Sequence, residues 1–315
     1  MAVLIPCYNE AMSVQKVVSD FKEVLPGASV YVYDNNSTDA TADLAVAAGA
    51  NLRHEPLQGK GNVVRRMFAD IEADVYVLVD GDDTYDASTA PKMIHMLAAN
   101  DLDMVTGVRV TDSPSAYRPG HTFGKNLFAF LLARIFDRAV KDVFSGYRVF
   151  SRRFVKSFPA LSSGFEIETE LTLHALELGM KFAEIETPYR PRPPGSTSKL
   201  RTFRDGFRVF RTLALFFKEE RPLLFFGTIS FCLAALSVLL AIPVVKDYLE
   251  TGLVPRLPSA VLASAIMLVA FLSLTAGIIL DTVTRGRHEL KRLFYLSLPT
   301  LSAHADDEQG GGGRT

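Results

Sequence analysis

The sequence predicts a doubly wound α/β domain with a mostly parallel sheet, followed by a membrane anchor. Short apolar runs alternate with segments of helical spacing between residues 2 and 79, the pattern of a parallel sheet covered by helices on both faces. Residues 75–79 contain only Val, Leu and Tyr, as expected for a strand buried on both faces. Residues 222–245 and 257–280 contain no charged side chain, and each segment is long enough to cross a hydrocarbon core of roughly 30 Å.

The elements of the α/β domain follow a regular order at first. Strands are predicted at residues 2–6, 30–33, 51–54 and 75–79, with helices at 14–24, 40–48 and 63–71 between them. After residue 83 the alternation weakens. The later predictions are a helix at 90–98, a strand at 104–108, a polar loop at 111–121, helices at 123–136 and 169–178, a strand at 181–185 and a proline-rich extended segment at 188–194.

The segments around the anchor predict its orientation. Residues 203–217 interleave Phe with Arg at helical spacing, which is typical of a helix lying in the membrane interface, although an amphipathic helix packed on the domain fits as well. Cations concentrate before the first apolar segment and after the second, so both termini are expected in the cytoplasm at the inner membrane. Nothing at the amino terminus has the pattern of a signal peptide. The expected parts are an α/β domain at 1–200, a juxtamembrane helix at 201–221, a two-helix anchor at 222–282 and a basic segment with a disordered tail at 283–315.

Composition excludes several classes of function. Lys and Arg total 34 against 35 Asp and Glu, so the chain lacks the basic excess of a nucleic-acid-binding protein. Cys7 and Cys232 lie far apart, which argues against a disulfide framework or a zinc site. His54, His95, His121 and His174 show no metal-ligand spacing and are expected to be structural. Function must therefore come from local clusters of side chains.

Polar side chains follow three of the predicted strands, at residues 6–10, 34–39 and 80–83. Ligands of open α/β sheets bind at the carboxyl ends of the strands. Each cluster alone would also fit a turn or a helix cap, and Asp39 in particular is placed to cap a helix. Because all three occur at matching strand ends, they predict one ligand site.

The third cluster predicts a metal site. Asp80 and Asp82 alternate on the same side of an extended chain, so both carboxylates can face one point. Mg²⁺ and Mn²⁺ prefer hard oxygen ligands and commonly bind through one or two carboxylates plus substrate phosphates. Such a cation would neutralise a diphosphate leaving group. An Asp-rich turn without a metal is the alternative.

Residues 59–62, Gly-Lys-Gly-Asn, precede a predicted helix, and their amides either receive an anion or form a simple turn.

The ordered motifs resemble those of family 2 glycosyltransferases of the polyprenyl-phosphate glycosyltransferase and dolichol-phosphate mannose synthase type. The resemblance covers residues 2–201. It rests on Pro-x-Tyr-Asn-Glu at 6–10, Asp-Asn-Asn-Ser-x-Asp at 34–39, Gly-Lys-Gly at 59–61, Asp-x-Asp at 80–82, Ser-Gly-Tyr-Arg at 145–148 and Ser-Lys-Leu at 198–200.

The resemblance implies a GT-A fold and an inverting transfer of a sugar from a nucleotide sugar to a polyprenyl phosphate. Family members often carry two consecutive acidic residues after the second strand, whereas this chain has Asp34 followed by Asn35. This difference favours a UDP-hexose or UDP-N-acetylhexosamine donor, with GDP-mannose as the alternative. The implied donor-side residues are Pro6, Tyr8, Glu10, Asp34, Asn36, Lys60 and Asp80, and the implied metal ligands are Asp80 and Asp82.

The acceptor side needs cations more than it needs a base. A phosphate monoester has its second pKa at about 6 and is largely dianionic at neutral pH. The enzyme must therefore align the phosphate oxygen and offset the repulsion between two anionic substrates. The expected acceptor-phosphate residues are Arg118, Arg148, Lys199 and Arg201, and the expected catalytic residues are Asp82, Asp142, Arg148 and Lys199. Asp142 matches an acidic family position, where we favour a positioning role over that of a base. Glu166 and Glu168 resemble a Glu-rich family segment, but salt bridges are the commoner role of such residues.

Two other functions fit parts of the pattern. A polysaccharide synthase would share the fold, but such enzymes carry a Gln-x-x-Arg-Trp motif and more membrane helices, and this chain contains no Trp. A catalytically silent membrane scaffold would be expected to lose the pair Asp80 and Asp82, because a carboxylate cluster is costly unless a cation is bound. The small residues of the apolar segments would also permit a homo-oligomer.

Overall fold

The computed structural model describes residues 1–110, 138–164, 166–191 and 217–301. The chain divides into two compact units, Met1–Arg201 with Lys291–Thr315, and Thr202–Leu290. Several sequence predictions lie outside the described residues. They are the loop at 111–121, the helix at 123–136, most of the juxtamembrane helix, the tail after residue 301, and the candidate residues Arg118, Lys199 and Arg201.

Seven strands of the described residues form one mixed sheet. They are β1 (Ala2–Cys7), β2 (Ser29–Asp34), β3 (Asn51–His54), β4 (Val75–Leu78), β5 (Met104–Val110), β6 (Arg148–Ser151) and β7 (Phe182–Pro188). Their order is β3-β2-β1-β4-β6-β5-β7. Strand β6 runs antiparallel to both of its neighbours, whereas the other pairs are parallel. The predicted mostly parallel sheet is thus confirmed, although no strand was predicted at β6.

Helices cover both faces of the sheet. They are α1 (Val14–Val24), α2 (Thr41–Ala47), α3 (Lys60–Asp70), α4 (Ala90–Ala99), α5 (Arg152–Ser157) and α6 (Ile167–Glu177). Strand β1 alternates between the two layers: Leu4 packs with the layer of α3, α5 and α6, and Ile5 packs with that of α1, α2 and α4. Because side chains alternate with a period of two, a slip of one residue would exchange the two faces. The two cores therefore fix the register that aligns the strand ends.

Two long apolar helices follow, α7 (Pro222–Thr251) and α8 (Leu257–Leu296). Both are long and apolar enough to cross a membrane. Within this unit Ser230 Oγ donates to the Ala270 carbonyl and Ser237 Oγ to the Ala263 carbonyl, each at 2.7 Å. Small polar residues of this kind let two helices approach closely in lipid. Helix α8 continues through residue 282, where the sequence analysis placed the end of the anchor.

The last turns of α8 belong to the first unit, where Asp103 is fully buried. The hydroxyl of Tyr295 donates to Asp103 Oδ2 at 2.7 Å. Arg153 donates to both carboxylate oxygens of Asp103, at 3.0 and 3.1 Å, and its guanidinium lies over the Tyr295 ring at 4.4 Å. A buried carboxylate is stable only when it is paired and hydrogen-bonded, so these contacts hold the end of α8 in the fold of this unit.

The substitution Arg153→Met is expected to lower the free energy of unfolding by about 3 kcal/mol, because it leaves the buried Asp103 charge without its cation. Thermal melting of the full chain in detergent measures the loss. Arg152→Met is the matched control, since Arg152 pairs at 3.1 Å with the exposed Glu72 and such pairs contribute about 0–1 kcal/mol. Equal melting temperatures for the two variants would contradict the importance of the Asp103 contacts.

Candidate active site

The carboxyl ends of three neighbouring strands meet at one edge of the sheet. After β1 and β2, Asn9 N–H donates to Ser37 Oγ at 2.9 Å and Thr38 N–H donates to Asn9 Oδ1 at 2.8 Å. Ser13 Oγ donates to the Gly81 carbonyl at 2.7 Å and so connects β1 to the segment after β4. The three polar clusters of the sequence therefore lie side by side, as their positions after the strands predict.

The donor-side candidates after β1 and β2 differ in exposure. Pro6 and Tyr8 are half-buried, whereas Glu10 is buried. Asp34 is buried, accepts hydrogen bonds from Ser37 N–H at 3.3 Å, and lies 3.5 Å from the ring nitrogen Nδ1 of His54. Asp34 is thus held in place at the end of β2.

Asp39 occupies the position at which the sequence left open a helix-capping role. Its carboxylate accepts from the backbone N–H of Thr41 at 3.0 Å, at the start of α2, and from that of Ala11 at 3.2 Å. The N-cap of α2 is Ala40, so Asp39 precedes the cap, and its carboxylate ties the loop after β1 to the start of α2.

Two asparagines after β2 brace the loop at 55–59. Buried Asn35 donates through Nδ2 to the carbonyl oxygens of Glu55 and Leu57, both at 2.8 Å, and accepts from Gly59 N–H at 2.7 Å. Exposed Asn36, which has a φ of 63°, donates to the Pro56 carbonyl at 2.9 Å. A carboxylate at position 35 has no N–H groups to donate, which explains why an amide suits this position.

The start of α3 is occupied by protein rather than open to an anion. Gly61 N–H donates to the carbonyls of Ser163 and Gly164, both at 3.1 Å, and Asn62 N–H donates to Ser163 at 3.4 Å. Because these amides are already paired, they favour the simple turn over the anion site, the two alternatives that the sequence left open for residues 59–62. A Cβ atom at Gly59 or at Gly61 would collide with the backbone of residues 162–163, so both glycines are required by this close approach.

The side chain of Lys60 lies between two carboxylates, and we call Lys60, Asp80 and Glu168 the lysine cluster. Lys60 Nζ pairs with Asp80 and, at 2.5 Å, with Glu168 Oε1. The side chains of Lys60 and Glu168 are only 9% and 8% exposed. Burial alone would lower the pKa of Lys60, but the charges of Asp80 and Glu168 outweigh it and raise that pKa. Burial raises the pKa of Glu168, and Glu168 Oε2 has no hydrogen-bond partner among the described residues.

Asp80 and Asp82 present carboxylates in different surroundings. Asp80 is partly exposed beside Gly146, where a Cβ atom would collide with its carboxylate. Asp82 is buried, and its Oδ1 accepts from Thr84 Oγ1 at 2.6 Å and from Thr84 N–H at 3.3 Å. The pair supplies only oxygen donors from one strand end. This donor set suits Mg²⁺ or Mn²⁺.

Asp142 forms a buried ion pair with Arg109, at the end of β5. Arg109 Nε donates to Asp142 Oδ2 at 2.8 Å and NH2 donates to Oδ1 at 2.9 Å. The guanidinium lies 5.5 Å from the centre of the Tyr189 ring and is 22% exposed. Burial lowers the pKa of Arg109, but the Asp142 carboxylate outweighs this effect and the net shift is upward. Sequence reasoning missed Arg109, although the rule of polar residues at strand ends would have found it if applied to β5.

Arg148 lies inside the domain. It is fully buried, and all of its guanidinium nitrogens have partners, which are the carbonyls of Val143, Ser145 and Glu168, Thr172 Oγ1 and Met104 Sδ. Burial lowers the pKa of Arg148 to about 10. The predicted contact between Arg148 and an acceptor phosphate is incompatible with this burial. The guanidinium instead holds together β6, the segment before it and α6.

The end of β7 lies against the segment after Asp82. Arg190 N–H donates to the Thr84 carbonyl at 2.8 Å, and the Tyr189 and Tyr85 rings pack with their centres 5.3 Å apart. Tyr85 in turn accepts from Gly146 N–H at 2.9 Å. The chain therefore leaves β7 beside the candidate metal ligands.

Comparison with known proteins identifies the family. The model of glycosyl transferase family 2 matches residues 2–158. Glycosyltransferase AglJ of Haloferax volcanii is 33% identical over 296 residues, which cover 93% of this chain and 97% of AglJ. The chain belongs to glycosyltransferase family 2. The resemblance seen in the motifs is thereby confirmed.

Other relatives of this glycosyltransferase agree in fold and class. The dolichyl-phosphate hexose transferase of H. volcanii is 27% identical over 222 residues, covering 70% of this chain and 95% of that protein. The crystal structure of glucosyl-3-phosphoglycerate synthase from Mycobacterium tuberculosis with Mn²⁺, uridine-diphosphate-glucose and phosphoglyceric acid superposes with a TM-score of 0.55, at 20% identity, over 69% of this chain and 78% of that one. The predicted GT-A fold is confirmed.

The variant Asn35→Asp is expected to lower the melting temperature of the glycosyltransferase, because the carbonyls of Glu55 and Leu57 would lose their donor and face a carboxylate at a buried position. The cost is about 2–5 kcal/mol for two unmade hydrogen bonds and a buried charge. Asn36→Asp is the matched control, since Asn36 is exposed and water can replace its contacts. A melting temperature lowered equally by both changes would contradict the bracing role of Asn35.

Proposed function

We propose that this glycosyltransferase moves a hexose or N-acetylhexosamine from a nucleoside diphosphate sugar to a polyprenyl phosphate, with inversion at the anomeric carbon and a divalent cation. The observation that carries the proposal is the pair Asp80 and Asp82 at the strand ends that bear the donor-side residues, in a chain with two helices able to cross a membrane. The strand-end carboxylates suit a water-soluble nucleotide sugar as donor, and the apolar helices suit a lipid phosphate as acceptor.

The donor side of the proposal rests on residues after β1 and β2. Tyr8 and Pro6, after β1, are partly accessible to solvent. Asp34, at the end of the neighbouring strand β2, is held by the N–H of Ser37. The loop at 55–59 is braced by Asn35 and Asn36, so these two amides act on protein carbonyls and shape the donor site indirectly. UDP sugars remain the favoured donors, and the M. tuberculosis synthase that shares the fold was crystallised with UDP-glucose.

Asp80 and Asp82 would hold Mg²⁺ or Mn²⁺. A divalent cation at this position supplies charge neutralisation for the departing diphosphate. Thr84 fixes the orientation of the Asp82 carboxylate before the substrates arrive. Asp80 is the more accessible of the two carboxylates. Because it is paired with Lys60, it would have to give up this contact to bind the cation.

The acceptor side needs a cation that reaches the site, and Arg109 meets this requirement in place of Arg148. Asp142 holds Arg109 by two hydrogen bonds, and the Tyr189 ring supports it. A carboxylate held in this way is a weak base, so Asp142 positions Arg109. A phosphate oxygen of the acceptor forms the new bond to the anomeric carbon while the bond to the diphosphate breaks. Lys199, Arg201 and Arg118 remain proposed as further phosphate contacts.

The two apolar helices are proposed to place the reaction at the cytoplasmic face of the inner membrane, with both termini inside. Lys and Arg are concentrated before the start of α7 and after the apolar part of α8, which supports this orientation. The similarity to the dolichyl-phosphate hexose transferase of H. volcanii supports a lipid phosphate as the acceptor.

A donor screen tests the proposed reaction. The full chain in detergent is incubated with undecaprenyl phosphate and Mn²⁺, and UDP-glucose, UDP-galactose, UDP-N-acetylglucosamine and GDP-mannose are compared for lipid-linked product. One donor is expected to react, and Asp82→Asn is expected to lower kcat by about a hundredfold or more, because the leaving group loses several kcal/mol of charge stabilisation.

The neighbouring variant Asp83→Asn is the control for the donor screen, since Asp83 pairs with Lys16 at 2.8 Å and has no proposed role in the reaction. It is expected to retain most of the activity. Absence of product from every donor, with a folded protein that binds no nucleotide, would instead favour the catalytically silent scaffold.

A second variant tests the acceptor side. Arg109→Lys is expected to raise KM for undecaprenyl phosphate by about tenfold or more with little change in KM for the donor, because a lysine cannot bind Asp142 and a phosphate with a rigid fork. Arg190→Lys, whose exposed guanidinium lies 3.7 Å from Asp86, is the control. An increase confined to the KM for the donor would mean that Arg109 contacts the nucleotide sugar, which contradicts its proposed contact with the acceptor phosphate.

A further inference from the structure

The lysine cluster contains a conflict between two cations. Asp80 is a proposed metal ligand, yet its carboxylate already pairs with the ammonium of Lys60. Two cations on one carboxylate repel each other, and here the ammonium of Lys60 is buried while Asp80 is partly exposed. Lys60 must therefore weaken its contact with Asp80 when a divalent cation binds there.

Glu168 is an alternative ion-pair partner for Lys60. Its Oε1 already accepts from Lys60 at 2.5 Å, and its buried Oε2 has no hydrogen-bond partner among the described residues. An ammonium has three donors, so Lys60 can turn toward the second oxygen of Glu168 without leaving the cluster. The move satisfies the Glu168 oxygen that is unpaired among the described residues.

The backbone around the cluster is held in place, so the rearrangement is confined to the Lys60 side chain. Gly61 at the start of α3 donates to the carbonyls of Ser163 and Gly164. The same loop is held by Glu170, whose carboxylate accepts from the N–H groups of Leu161 and Ser162 at 2.7 and 2.8 Å. The distance between the backbones that carry Lys60 and Glu168 is thereby fixed.

We propose that Lys60 is a displaceable counter-ion of Asp80, which pairs with Asp80 when the divalent cation is absent and moves onto Glu168 when the cation binds. Glu168 is then a positioning residue that acts on the metal site through Lys60. This inference rests on the proposed metal-dependent function.

A double-mutant cycle on Mn²⁺ binding tests the inference. Free Mn²⁺ is measured by electron paramagnetic resonance while the full chain in detergent is titrated in the presence of UDP. Glu168→Gln is expected to weaken Mn²⁺ binding by about tenfold, because Lys60 then remains on Asp80. In the Lys60→Gln background the same change is expected to have almost no effect.

The cycle separates action through Lys60 from simple charge effects. A loss of affinity by the same factor in both backgrounds means that Glu168 acts on the cation directly, which would overturn the proposal. Lys156→Gln is the matched control, because Lys156 pairs with Glu72 at 2.6 Å away from the cluster, and it is expected to leave Mn²⁺ affinity unchanged. A wild-type protein that binds no Mn²⁺ with UDP would overturn both this inference and the metal-dependent function, whereas binding without coupling overturns the inference alone.

Removing a buried charge can prevent folding, so a measurement on the wild-type protein complements the cycle. In a crystal structure with Mn²⁺ and UDP, Lys60 Nζ is expected within hydrogen-bond distance of Glu168 and beyond ion-pair distance from Asp80. Nζ still paired with Asp80 in the presence of the cation would refute the displacement.

Discussion

The burial of Lys60 between two carboxylates is the interaction on which the arrangement of the active site depends. Lys60 begins α3, Asp80 follows β4, and Glu168 lies in the first turn of α6, so one ammonium ties the first half of the domain to the second. A buried cation requires paired anions at short range. The backbones must then approach closely, which is why glycines flank Lys60 where the loop at 162–164 covers the start of α3.

A second set of contacts divides the arginines of the site by function. Arg148 is satisfied by carbonyls of its own domain and organises the interior behind β6. Arg109 is held by Asp142, yet its side chain remains 22% exposed. Burial, and not motif membership, therefore decides which of two arginines near the same strand ends can meet a phosphate.

The first half of the fold was predictable from the sequence because β1, β2, β3 and β4 are separated by helices with clear spacing, and their carboxyl ends carry the polar clusters. Strand β6 was not, since it begins with Arg148, the last residue of a motif that suggested a phosphate contact. The role of Arg148 depends on carbonyls from residues 143–168, and the choice between an anion site and a turn at the start of α3 depends on carbonyls about a hundred residues away in the sequence. Such partners are visible only in three dimensions.

The Tyr295–Asp103 contact means that the α/β unit is discontinuous in the chain, because residues 1–201 and the last turns of α8 both build it. A soluble form made by cutting the chain after residue 201 would lose the ring that covers Arg153 and the hydroxyl that satisfies Asp103. Bringing residues 291–301 back through a short designed linker in place of the helix pair preserves both. A domain-exchange experiment with this chain therefore has to carry residues 1–201 and 291–301 together, because both segments belong to the α/β unit.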